Sequence, residues 1–116
     1  MYKYKSRLIK VIDADTIDAM IDLGFNIWVK KRIRLSGIDA YEIRTRDKVQ
    51  KKKGIAAKIR LQEILHEYNN EFKLWSHGVG KYGRCLGDII VGSTTAYAGK
   101  SVNQMLVSEG HAKKYK

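Results

Sequence analysis

The sequence predicts an α+β domain, mainly β, with five strands and a long helix inserted between the third and the fourth. Three observations carry this reading. Apolar and polar residues alternate in the N-terminal third, a stripe of helical period follows, and two further apolar runs precede a short capped helix. At 116 residues, 44% of them hydrophobic and spread along the whole chain, one domain over 1–116 with its own core is expected.

Residues 7–12, RLIKVI, read as the first strand. In TIDAMID, residues 16–22, Ile17, Ala19 and Ile21 alternate with Asp18, Met20 and Asp22, the period of a second strand. The LGFN stretch at 23–26 supplies Gly24 and Asn26 for a hairpin turn into IWVKKRIRL. There Ile27, Val29, Ile33 and Leu35 share one parity, and Trp28, Lys30, Arg32 and Arg34 share the other. A regular strand turns Arg34 away from the core onto a basic, partly aromatic face.

From 44 to 60, eight Lys or Arg stand against the single acid Asp47. The Lys51–Lys53 run reads as the solvated opening of a helix whose packed stripe is Ala57, Leu61, Ile64, Leu65 and Tyr68, with Gly54 leaving its start undefined. Strands at 71–76 and 85–91 flank a glycine-rich loop, HGVGKYG. A short helix then runs from Ser101, where Ser101 and Gln104 form a capping box, to near Gly110. Five strands with a helix after the third suggest a five-stranded OB-fold barrel with a short C-terminal helix, a fold whose exposed sheet face often binds nucleic acid.

Composition narrows the function. Cys85 is the only cysteine, which excludes a disulfide framework and a cysteine-based zinc site. The N-terminal apolar run is broken by Lys10 and Asp13, too short for a signal peptide or a membrane span, so a soluble, cytoplasmic protein is expected. A net charge of +11 attracts polyanions. Nucleic acid is favoured over anionic membrane because the basic run lacks a broad apolar face.

Four of the twelve acids, Asp13, Asp15, Asp39 and Glu42, lie in two turns that directly follow predicted strands. Strand ends gather at the rim of a small barrel, so these turns can converge into an oxygen-rich pocket for a hard cation. Phosphodiester hydrolysis needs a cation on the nonbridging oxygens, a base for water and further positive charge for the transition state. Turns also favour Asp for purely local reasons. Asp15 shares parity with Ile17, so a ligand role requires it to lie at the barrel mouth or in a turn that breaks the register.

DADT at 13–16, RLSGIDAYE at 34–42 and KYGR at 81–84 resemble, in order and spacing, the signature segments of the staphylococcal nuclease family. The resemblance extends from about Leu8 to Lys113. It implies a calcium-dependent endonuclease on an OB barrel that cleaves DNA and RNA, with single strands preferred, and leaves 3'-phosphate ends. By position it implies Asp15 and Asp39 as carboxylate metal ligands with the backbone carbonyl of Ala40, Glu42 as general base, and Arg34 and Arg84 on the scissile phosphate. Lys81 and Tyr82 would flank the nucleotide phosphate, Tyr115 would lie near a base, and a monomer is expected. The family's usual glycine between the two Asp and proline before the Glu are Ala14 and Tyr41 here, and the chain has no proline. Tyr41 therefore loosens the turn that carries Glu42.

The remaining residues read more plainly. His66, His77 and His111 show no ligand spacing, Trp28 and Trp75 read as packing residues, and Cys85 as a packed thiol. AGKS at 98–101 lacks the earlier glycine of a phosphate-binding loop. A non-catalytic OB-fold module that binds nucleic acid through charge is the alternative to the nuclease.

Overall fold

The computed structural model describes residues 2–79, 85–92 and 99–114. Along the chain these form β1 (Tyr2–Asp13), β2 (Thr16–Asp22), β3 (Trp28–Leu35), β4 (Ile38–Ala40), α1 (Lys48–Glu67), β5 (Glu71–Val79), β6 (Cys85–Val91), β7 (Lys100–Ser101), α2 (Val102–Ser108) and β8 (Ala112–Lys114). The main sheet has the order β3-β2-β1-β5-β6-β7, and β3 also pairs in parallel with β6. That pairing closes β1, β2, β3, β5 and β6 into a five-stranded barrel, with α1 between the third and fourth barrel strands as predicted.

The alternation in β2 does what its period dictates. Ile17, Ala19 and Ile21 point inward and meet Ile33 and Leu35 of β3, Leu74 of β5 and Ile89 and Val91 of β6. One end of the barrel is plugged by Leu61, Ile64 and Leu65 of α1 together with Val102 and Leu106 of α2, all fully buried. β1 begins at Tyr2, earlier than the strand read at 7–12, because its first half pairs with β5 and its second half with β2. A register shift between Leu8 and Lys10 marks the bend that lets one strand serve both partners.

Other boundaries depart for local reasons. Ile27 is 55% exposed and lies in the β2–β3 turn, so the inward parity of β3 starts only at Val29. The turn itself is held by Leu23 N–H donating to the Ile27 carbonyl and Ile27 N–H to that of Gly24. α1 opens at Lys48, before the Lys51–Lys53 run, because the Asp47 carboxylate caps it by accepting from the N–H groups of Val49 and Gln50 at 2.9 and 3.3 Å. Ser101 caps α2 through Gln104 N–H. Past its last turn, Gly110 N–H reaches the Val107 carbonyl and His111 N–H the Leu106 carbonyl, the two bonds of a Schellman end.

Two polar residues are buried with reasons. Asn103, 3% exposed, accepts from Ile89 N–H and donates to the carbonyls of Ser36 and Gly87, tying α2 to β6 and to the turn after β3. Asp18 is nearly buried on the polar parity of β2 and takes both Nε and Nη2 of Arg32, at 2.8 and 3.2 Å. No helix among the described residues is long and apolar enough to cross a membrane.

Candidate active site

The site is built where the β1–β2 turn meets the end of β3 and the β4 segment. Ala14 and Asp15 form the turn, since Asp13 and Thr16 pair directly across it. Leu35 N–H donates to the Asp15 carbonyl at 2.8 Å, which fixes the turn against β3. The Asp15 carboxylate then accepts from three directions: Thr16 hydroxyl at 3.0 Å, Ala40 N–H at 2.9 Å and, as an ion pair, Arg34 Nη1 at 3.4 Å. Its parity is inward, but it lies in the turn and faces β4, which resolves the conflict between alternation and a ligand role.

Arg34 leaves β3 on the outward parity and is itself mostly covered, at 17% side-chain exposure. Its Nη1 also donates to its neighbour's carbonyl, that of Leu35, at 2.9 Å, and its Nη2 stands 3.5 Å from Asp39 Oδ1. One guanidinium thus bridges Asp15 and Asp39, two acids distant in sequence that would otherwise repel. Asp39 is the open member of the pair, with 55% of its side chain exposed. Its strand is pinned by the C-terminal segment, where Ile38, Asp39 and Ala40 register with Lys114, Lys113 and Ala112.

Asp13, Asp15, Asp39, Ala40, Tyr41, Glu42 and Arg44 line one cleft of about 410 Å³ together with Arg32 and Lys58. Glu42 lines this cleft, is exposed, and makes no hydrogen bond or ion pair among the described residues. The structure therefore joins Asp15, Asp39, Ala40 and Arg34 by direct contact and sets Glu42 in the same cleft. Among the described residues no three His, Cys, Asp or Glu side chains gather closely enough to hold a metal. The expected ligand set, two carboxylates and a carbonyl oxygen, has the hard-donor chemistry that calcium takes, while here both carboxylates face the Arg34 guanidinium. Arg84, Lys81, Tyr82 and Tyr115 lie outside the described residues.

The loop that carries Glu42 shows how Tyr41 is accommodated. Its ring is flanked by two ammonium groups, Lys53 Nζ of α1 at 5.2 Å from the centroid and Lys113 Nζ of β8 at 5.1 Å. Beneath it, Gly54 lets the helix approach the loop backbone. A Cβ there would stand 2.7 Å from the Tyr41 carbonyl oxygen, 2.9 Å from Ile43 Cγ1 and 3.1 Å from the Glu42 carbonyl oxygen. The turn loosened by the missing proline is held instead by contacts with a helix and a strand. The sequence reads Gly54 only as an ambiguity in the helix start, although it stands three residues before Ala57 on the same buried stripe.

Outside the cleft, three residues read as plain behave so. His77 bonds Asp88 at 2.9 Å, His111 stands 3.9 Å from Glu109, and Cys85 is half-buried against the core. Arg60 grips Glu109 with two bonds, at 2.6 and 3.1 Å, and that contact holds the Glu109 carboxyl below its ordinary range while joining α1 to the end of α2.

No curated protein matches the chain. The family model of staphylococcal nuclease homologues matches residues 32–116, a span that includes Arg34, Asp39, Ala40, Glu42 and the KYGR segment, while the β1–β2 turn with Asp15 precedes it. With more than half of the chain matched and the barrel closed as that resemblance implies, the chain belongs to the family of staphylococcal nuclease homologues.

Proposed function

We propose that the chain is a calcium-dependent nuclease that hydrolyses phosphodiester bonds of DNA and RNA, with single strands preferred and 3'-phosphate ends left. The observation that supports this best is the bridge of Asp15 and Asp39 by Arg34 beside an exposed, unpaired Glu42 in one cleft. A module that only binds phosphate has no use for two acids converging on its mostly covered arginine, because they weaken the field that attracts the strand.

In this reading Asp15, Asp39 and the Ala40 carbonyl hold the cation. When bound, it supplies positive charge for a nonbridging phosphate oxygen. Asp15 is kept in place by Ala40 N–H and the Thr16 hydroxyl, and a cation held there would take over its pairing with Arg34. Arg34 is aimed into the site by its bond to the Leu35 carbonyl and presents a planar fork to phosphate oxygens, a task it would share with Arg84. Glu42, exposed and without a partner among the described residues, orients the attacking water and accepts its proton. Lys81, Tyr82 and Tyr115 would contact the nucleotide on either side. In this reading the chain acts as a monomer.

The test uses Glu42→Gln and Arg34→Ala. Both variants should keep the fold by circular dichroism and lose cleavage of a labelled oligonucleotide by about 10²-fold or more, the usual scale for removing a general base or a preorganised charge. Parental rates in folded variants would sink the assignment and favour the binding module.

A further inference from the structure

The β2–β3 hairpin carries a second feature that the cleft does not use. At its tip Phe25 is 97% exposed and has φ of 55°, the left-handed region that favours glycine, and it is flanked by Leu23 at 48%, Ile27 at 55% and Trp28 at 44% exposure. A polar residue would satisfy the turn at lower cost, since Asn26 takes the same conformation beside it. An aromatic side chain there is disfavoured both by its backbone and by its hydration, and at 97% exposure it is not packed against any of the described residues.

The tip is continuous with the cleft. Trp28, Lys30, Arg32 and Arg34 occupy alternate positions of β3 opposite Asp22, Met20, Asp18 and Thr16, so they share one face. The six steps from Trp28 to Arg34 span about 20 Å. Arg32 lines the cleft, Arg34 contacts two of its acids, Asp15 and Asp39, Lys30 is exposed, and Lys10 of β1 registers beside Asp18 on the same face. Asp18 is the acid at the centre of this group, and its carboxyl is held below its usual range chiefly by its bond to Arg32, against its burial, with Lys30 and Lys10 adding to the effect. Lys10, Lys30 and Arg32 against Asp18 and Asp22 leave the face positive. An aromatic end on a basic strip matches the way sequence-tolerant single-strand binders work, with cations along the backbone and rings under the bases.

We propose that the outer face of β3, from Arg32 through Lys30 and Trp28 to the Phe25 tip, is a binding track for single-stranded nucleic acid that leads away from the cleft. The idea rests on the nuclease reading only for the polarity of the track, not for its existence. Nucleic acid is favoured over a lipid surface because the basic strip runs toward the cleft along the strand. A lipid surface would instead call for cations ringed around the apolar tip.

The experiment measures anisotropy of a dye-labelled 12-nucleotide thymidine strand in excess chelator, so that no cleavage occurs and binding is read alone. Phe25→Ser and Lys30→Ala alter exposed residues, and their fold is checked by circular dichroism and thermal melting. Together they should weaken binding of the 12-mer by about tenfold or more, Lys30→Ala should lower the salt slope by about one, and Phe25→Ser should leave that slope unchanged. Unchanged affinity and slope in the folded double variant overturn the track. So does Phe25-dependent sedimentation with anionic phospholipid vesicles, or Phe25-dependent self-association, if 12-mer affinity does not follow. Arg34→Ala separates the two readings: loss of cleavage with the Phe25 and Lys30 effects intact supports the track, and the track stands even if no metal supports cleavage.

Discussion

Replacing Gly54 by alanine sets two effects of similar size against each other. In an ordinary helix interior alanine is favoured over glycine by about 0.8–1 kcal/mol. Here the new Cβ would meet the Tyr41 carbonyl oxygen at 2.7 Å and Ile43 Cγ1 at 2.9 Å, closer than carbon tolerates, and the nearest obstacle is backbone. Overpacking of this kind costs about 1–3 kcal/mol. Neither side can yield cheaply, since α1 is anchored by Leu61, Ile64 and Leu65 and β4 by its pairing with β8. The balance is a net loss of about 0–2 kcal/mol, with part of the strain relieved by moving the loop at 41–43. A displacement of about 1 Å at a catalytic group can cost about 10²-fold in rate, so activity should fall far more than stability. Urea denaturation and oligonucleotide cleavage are run on Gly54→Ala beside Ala56→Gly, an exposed site in the same helix that calibrates propensity alone. If Gly54→Ala is stabilised by about 1 kcal/mol and cleaves at the parental rate, the close approach does not position Glu42 and the reasoning fails.

Three further outcomes are expected. Tyr41→Ala should remove both ammonium contacts and reduce cleavage with little effect on melting, whereas Tyr41→Phe should retain most activity because its ring keeps the same charged neighbours; equal loss in both would show that the hydroxyl, not the ring, matters. Asn103→Leu should destabilise the chain by about 3 kcal/mol, since it leaves the Ile89 N–H and the Ser36 carbonyl without their side-chain partner, and a thermal melt shifted by less than a few degrees would contradict this. The Asp18 carboxyl is depressed in the folded chain by Arg32, so its ion pair contributes fully above the ordinary carboxylate range near about 4 and is lost as pH falls through the lower folded value. Asp18→Asn should therefore cost stability at neutral pH and progressively less in acid; a pH-independent difference would assign the cost to packing.

The parts of this protein that repeat locally were readable from its sequence. The period of two in β2 gave its buried face, and the stripe through Ala57, Leu61 and Leu65 gave that of α1. Parity alone also set Arg34 on the outward face of β3, although it could not show that the guanidinium would be covered by two acids. What escaped were contacts between segments remote in sequence. The pairing of β4 with β8 involves three residues on each side, too short for any alternation to register. The seating of Tyr41 needs α1, β4 and β8 together, and Asn103 looks like any polar residue of a first helical turn until its three backbone partners are in place. The acids of the site were marked by the turns that follow predicted strands, and their roles, with Arg84, Lys81, Tyr82 and Tyr115, came from resemblance. Geometry then joined Asp15 to Ala40 and Arg34, contacts that no spacing in the sequence encodes.

The most direct test of the central claim is digestion of single-stranded DNA by the purified protein at fixed salt with Ca²⁺, with Mg²⁺ and with excess chelator. The account predicts cleavage in Ca²⁺ that disappears with chelator and in the Glu42→Gln variant. Salt-sensitive binding with no cleavage under any metal would contradict it and leave a basic OB-fold module that holds nucleic acid without cutting it.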